Sequence, residues 1–178
     1  MADFVHSETS EVATADLGRV CAPVLSYWQA HAGGGVMPKS ALDPTALPHA
    51  VLPHLMLFDV LDEGREFRTR LYGTGLASTY GSELTGKYLH EMETGEPPSL
   101  TYRLFGRVVA EARPMATRTR FLIGRDMLAY ERLLLPLADA AGRTAYVLAA
   151  LAMLDEPPPH SLLEMARRAR WNTRPGHA

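Results

Sequence analysis

Residues 54–88, HLMLFDVLDEGREFRTRLYGTGLASTYGSELTGKY, constrain the fold more than any other stretch of this chain. An apolar run from Leu55 to Leu61 is followed by the turn Asp62-Glu63-Gly64. Over Glu66–Tyr72, Phe67, Thr69 and Leu71 then alternate with Arg68 and Arg70. Successive side chains of a strand point to opposite faces, so this is the pattern of a half-buried strand, and the two runs form a β-hairpin. Gly73-Thr74-Gly75 leads into short helical segments over 75–81 and 84–91. A hairpin feeding small helices predicts the opening half of an α+β domain.

The remaining elements follow from the same periodicities. Residues 98–112 predict a longer helix with Leu100, Leu104, Val108 and Ala112 on one face, entered at Pro97-Pro98 and ended by Arg113-Pro114. Three strands come next, Met115–Leu122, Met127–Leu137 and Thr144–Met153, with Gly124 and Gly142 at the hairpin turns. Upstream, Leu17, Val20, Cys21, Val24, Leu25 and Trp28 recur at helical spacing. They predict a helix from an Asp16 cap to Gly33-Gly34-Gly35, kinked or restarted at Pro23. Four prolines punctuate 36–53 and leave room for one short helix over 44–51.

The domain reading is a flexible tail over 1–15, a flanking helix over 16–35 and one folded domain over 36–154. A Pro-rich spacer and basic helix then fill 155–178. Two hairpins around a helical insert predict a five-stranded antiparallel sheet with helices on one face. The pairs Arg68/Arg70 and Arg118/Arg120 mark the second and third strands as opposite edges, because charge on an edge discourages stray pairing. The apolar first and last strands then sit centrally, in the order 2-1-5-4-3.

Charge and cysteine content narrow the function classes. Eighteen basic and 20 acidic residues give a net charge of −2, without the basic excess of a nucleic-acid binder. Cys21 is the single cysteine, which rules out an intrachain disulfide and a thiolate metal cluster and suits a reducing cytoplasm. The N-terminus has no basic segment of the secretory type, and the longest apolar run, Ala145 to Leu154, is too short to span a bilayer.

The strand order is also that of PAS domains, and the residues themselves resemble a family of stand-alone bacterial PAS proteins, some linked to motility and cell-cycle regulation. The similarity rests on Trp28, Met37-Pro38, Asp43-Pro44, Leu52-Pro53-His54 and Leu57-Phe58-Asp59-Val60. It continues through Phe67-Arg68-Thr69-Arg70-Leu71-Tyr72-Gly73-Thr74, Leu84-Thr85-Gly86-Lys87, Arg113-Pro114 and the run from Tyr130 to Leu137. The resemblance implies a PAS fold, a regulatory role and, through the flanking helix, a homodimer. It names no cofactor. Flavin light sensors and photoactive yellow protein-like domains carry a cysteine in the helical insert, which is absent here, so flavin–cysteine adduct chemistry is excluded. Haem PAS domains place a histidine on the helix before the third strand; 98–112 has none, and His90 lies on the preceding turn, so haem is not expected.

Several motifs have plain structural readings. Gly81-Ser82-Glu83-Leu84-Thr85-Gly86-Lys87-Tyr88 nearly spells a phosphate-binding loop, but Tyr88 stands where a magnesium-binding Ser or Thr is required. It reads as a turn with a solvated lysine. Gly73-Thr74-Gly75 lacks the third glycine of a dinucleotide fingerprint, Ser78 standing in its place. No histidine pair has the spacing of a helical metal site.

Tyr72, Tyr80, Tyr88, His90, Tyr102, Phe105 and Tyr130 gather around the insert and the central strands, and are the candidate ligand-pocket residues for a small apolar or aromatic molecule; plain core packing is the alternative. Leu17, Val20, Val24, Leu25 and Trp28 form an apolar stripe that pairs with a second copy or covers the chain's own sheet. The basic C-terminal segment suits a solvated helix end. The function read from the sequence is a non-enzymatic regulatory module that binds a small molecule or a protein partner and signals by association. The alternatives are a ligand-free adaptor, or a small isomerase or cyclase on a cone-shaped α+β fold using Asp59, His90 and Tyr130.

Overall fold

The structure is a computed structural model and describes residues 6–92, 99–123, 126–155 and 164. Its frame is a sheet of seven strands among the described residues: β1 (His6–Glu11), β2 (Met37–Pro38), β3 (Leu55–Leu61), β4 (Glu66–Tyr72), β5 (Met115–Ile123), β6 (Asp126–Ala138) and β7 (Thr144–Met153). The helices are α1 (Cys21–His31), α2 (Thr74–Tyr80), α3 (Leu89–Met92) and α4 (Leu100–Glu111). The strand order is β1-β5-β6-β7-β3-β4, antiparallel throughout, with the two residues of β2 added in parallel to the end of β6.

The five strands expected from periodicity are therefore neighbours, and the sheet is larger than expected by two. The α+β class holds. Residues 6–11 correct the reading of 1–15 as a tail: they pair along β5 from His6–Leu122 to Glu11–Thr117. This strand is stabilised by its backbone ladder, which a polar sequence does not reveal. It also means that Arg118 and Arg120 are not on an open edge, whereas Arg68 and Arg70 on β4 stand at the end of the sheet.

The sheet is covered on both faces, by the insert helices on one and by the flanking helix on the other. On one side α1 and the segment 37–51 pack Cys21, Val24, Leu25, Trp28, Met37 and Val51 against Leu57, Leu133, Leu135 and Leu148. On the other, α2 to α4 pack Leu76, Leu89, Leu104, Phe105 and Val108 against Phe58, Phe67, Leu134 and Val147. Alternation along β6 explains the division, since Leu133 and Leu135 face α1 while Leu134 faces α4.

Local differences have local causes. The flanking helix begins at Cys21, so Pro23 falls in its first turn, where no N–H is needed, and no kink results. Asp16 ends a separate 3₁₀ turn instead of capping the helix. The prolines of 44–54 give two 3₁₀ turns, Pro44–Ala46 and His49–His54, in place of one helix. Asp43 does cap the first of them, accepting from the Thr45 N–H at 2.9 Å. The buried stripe of α4 is Leu104, Phe105 and Val108; Leu100 is exposed. The Pro97-Pro98 boundary, the Gly124 turn and the C-terminal spacer and basic helix lie outside the described residues.

Candidate functional site

The helix-covered face of the sheet holds most of the residues singled out in the sequence, and the structure divides them into two groups. The first is internal. Phe105 on α4 meets Phe58 edge-on at 4.9 Å and Phe67 at 5.0 Å between ring centroids, and is itself buried. Tyr72 closes β4 beside this cluster, with Tyr80 on α2 and Tyr130 on β6 packed against the same core. Burial pushes the Tyr72 hydroxyl well above the usual phenol range, with the Glu83 charge adding to it. Tyr80 is pushed up further by burial, then by Tyr130 and Tyr72, while Arg132 acts against the rise. Tyr72, Tyr80, Tyr130 and Arg132 thus form one electrostatic group.

Arg132 was not among the expected site residues. It is 6% exposed, and its guanidinium stacks on the Tyr130 ring at 5.7 Å from the centroid. Its Nη1 donates to Thr101 Oγ1 at 3.3 Å. Its Nε has no acceptor, and neither does the hydroxyl of Thr117, the residue directly across the ladder on β5.

The second group is a rim. Glu66 opens β4, and its Oε1 accepts from the Tyr102 hydroxyl at 2.6 Å while its Oε2 lies 2.6 Å from His90 Nδ1. Its own neighbour contributes too, the Phe67 N–H donating at 2.8 Å. Burial raises the Glu66 carboxyl, but the bonds from Tyr102, the Phe67 N–H and His90 outweigh that and hold it below the usual range. His90 stacks on Tyr88 with centroids 5.6 Å apart, and both rings reach solvent. With both oxygens occupied, Glu66 ties β4, α3 and α4 together and is not poised as a base. Sequence reasoning named Tyr88, His90 and Tyr102 but missed Glu66, their common partner.

Other candidates are placed apart. Asp59 faces the α1 side, where Arg70 Nε and Arg68 Nη2 reach its two oxygens at 2.7 and 3.0 Å. Tyr130 faces the opposite side, so Asp59, His90 and Tyr130 do not build a common site. Two strands of the core also precede the helical insert, an order foreign to the cone-shaped enzyme fold.

The loop 81–88 follows a helix, not a strand, and pairs with the edge of β4 through Thr69 N to Lys87 O and Gly86 N to Thr69 O. Lys87 meets Glu91 at 3.5 Å in solvent. Cys21 is buried on α1, across the sheet from the insert, and burial beside Glu131 pushes its thiol far up, which makes it a poor nucleophile.

Leu17, Val20, Val24, Leu25 and Trp28 pack on the chain's own sheet, with Val24, Leu25 and Trp28 fully buried there. Of the two readings of that stripe, covering the chain's own sheet accounts for these contacts, and Leu17 and Val20 keep part of their surface exposed. A separate groove of about 630 Å³ opens at the far end of the α1 side, between Glu8, Arg118, Arg120, Met127, Leu154 and Asp155. None of the seven expected pocket residues lines it. Among the described residues no cluster of three or more His, Cys, Asp and Glu is placed to hold a metal, and no helix is long and apolar enough to cross a membrane.

Comparison with known proteins bears on this geometry. Among solved structures, the chain is similar to the LOV domain of the blue-light photoreceptor Aureochrome1, at 9% identity and a TM-score of 0.44, over 69% of this chain and 92% of that one. It is similar to a fungal LOV domain photoreceptor at 17% identity and a TM-score of 0.46, over 74% and 89%. The PAS domain of Bordetella pertussis BvgS matches at 15% identity and a TM-score of 0.39, over 67% and 86%. All three matches are at low identity, with TM-scores below 0.5. No curated protein sequence matches significantly. The sequence profile of the PAS domain matches residues 19–152, from the approach to α1 through all but the last residue of β7. The chain belongs to the PAS domain family.

Proposed function

We propose that this protein is a regulatory sensory module that holds a small molecule between the sheet and α2–α4 and transmits its state by associating with a protein partner or a second copy. One observation carries the reading: the covered layer contains polar groups, Tyr72, Tyr80, Tyr130 and Arg132, where a layer serving only as core would be apolar. The role is non-enzymatic on this reading. Asp59, Glu66 and Glu131 each have both carboxylate oxygens bonded by their own surroundings, which suits structural ties better than proton transfer. A cytoplasmic site of action fits the single buried thiol.

Native mass spectrometry of freshly purified protein, with an absorbance scan, tests the reading. A retained small molecule, or a partner or second copy bound at defined stoichiometry, is the expected result. Bare monomer that captures neither a ligand nor a partner from host extract overturns it. The edge-to-face packing of Phe58, Phe67 and Phe105 favours a second reading, an adaptor with a filled core. A partner bound without any ligand would select it.

A further inference from the structure

Arg132 differs from the other arginines bound into the sheet. Arg68 and Arg70 reach the Asp59 carboxylate, and Arg118 reaches Glu131, all on the α1 side. Arg132 points to the other side and has no carboxylate partner among the described residues, although it is 6% exposed. A buried cation without a counter-charge is costly, because the interior does not replace its lost hydration.

The unfilled part of its hydrogen-bonding capacity has a definite shape. Thr101 takes Nη1. The edge formed by Nε and Nη2, whose two N–H bonds run parallel, is left without a protein acceptor among the described residues, and Nε is wholly buried there. That edge is the fork that fits a carboxylate with two parallel bonds. Beside it lies the Thr117 hydroxyl, 2% exposed and also unpartnered. The next inward-facing threonine, Thr119, shares a 2.8 Å bond with Thr9, so the deficit is particular to the Arg132 position.

Thr101, which accepts from Nη1, belongs to the first turn of the twelve-residue helix α4. Ser99 accepts the N–H of Tyr102 there. The guanidinium and the Thr117 hydroxyl thus lie near the start of α4, and among the described residues no carboxylate partners the guanidinium.

We propose that Arg132 and Thr117 bind the carboxylate of a small organic acid whose apolar body lies against Tyr80 and Tyr130. One guanidinium balances one negative charge, which favours a carboxylate over a phosphate dianion. The tyrosine rings beside it suit an aromatic or aliphatic body. The inference rests on the small-molecule reading above and names the chemical class of that ligand.

The test uses the full chain and three probes, phenylacetate, its neutral amide phenylacetamide, and inorganic phosphate, read by calorimetry and thermal shift. Small molecules released on denaturing the purified protein are identified alongside. Wild-type protein is expected to bind phenylacetate and to leave the amide and phosphate unbound. Thr117→Val is expected to weaken phenylacetate binding about tenfold, and Arg132→Met to abolish it. Should Arg132→Met fail to fold, Arg132→Lys keeps the charge without the fork and is expected to bind more weakly than wild type.

Equal binding of acid and amide, or acid binding unchanged in the folded Arg132 variant, overturns the anion inference while leaving a ligand site standing. Binding of phosphate in place of the acid overturns the carboxylate assignment. No binding of any probe, together with no acid released, removes both this inference and the small-molecule reading.

Discussion

The indole N–H of Trp28 donates to the main-chain carbonyl of Pro136 across 2.7 Å. The bond joins α1 to the centre of the sheet through a strand residue that has no N–H of its own. It orients the helix, whereas the buried Val24 and Leu25 beside it give apolar area without direction.

Trp28→Phe keeps most of the apolar volume and strands the Pro136 carbonyl. We expect a loss of about 1–3 kcal/mol in denaturant unfolding. Because the contact is within the chain, the loss should not change when protein concentration is raised. A loss that vanishes at high concentration would mean that the residue works between copies.

Asp59 sets an acid limit. Burial raises its carboxyl, but the bonds from Arg70 and Arg68 more than offset this and hold it below the usual range. A depressed folded value contributes stability that is fully present above the unfolded value of about 4 and is lost as pH falls through the folded value. Asp59→Asn should therefore cost about 1–3 kcal/mol at neutral pH, the half-exposed arginines limiting the effect. The gap between variant and wild type should close in acid. Urea titrations at a series of pH values would show it, and a gap that widens in acid would contradict the assignment.

Gly73 joins β4 to α2 where the chain passes hard against the 3₁₀ turn before β3. A Cβ there would sit 2.2 Å from the Pro53 carbonyl oxygen and 2.9 Å from that of Leu55. Backbone cannot step aside as a side-chain tip can, so Gly73→Ala should cost about 3 kcal/mol or more. Gly142→Ala, at a hairpin turn with φ of +79° and open space around it, should cost only about 1 kcal/mol. Comparable thermal shifts for the two would refute the close approach.

Glu131 is 1% exposed and accepts from the Gly18 N–H at 2.8 Å and from Arg118 at 3.0 Å. Glu131→Gln leaves Arg118 without its counter-charge and should cost about 3 kcal/mol, the low end for a broken buried pair because Arg118 is partly solvated. Amide exchange should quicken first around Gly18 and the start of α1. Protection lost equally over the whole sheet would argue against a local anchor.

The parts of the fold legible in the sequence were those where one periodicity dominates. The bounds of β3, β4 and β7 follow from their apolar runs and from the Arg68/Arg70 alternation. β1 was not legible, because HSETSE is held by its ladder to β5 and by the Thr9–Thr119 bond, with no apolar stripe to betray it. The α1 stripe told what is buried but not against what.

At the site, aromatic residues were easy to name and their polar partners were not. Glu66 looked like an ordinary strand end. Glu131 and Arg132 lay hidden inside the apolar run of β6, although a charged pair within a central strand is itself a signal. One of the two has to face each covered side of the sheet.

That adjacency has a mechanical consequence. Glu131 holds the stretch leading to α1, and Arg132 meets the start of α4 on the reverse side. Only a single planar peptide link, about 3.8 Å from one Cα to the next, separates them. In close-packed surroundings such a link does not stretch or fold to absorb a displacement. The anchor of α1 and the contact to α4 are therefore set by consecutive residues of one strand, and any shift of the backbone at this point moves both.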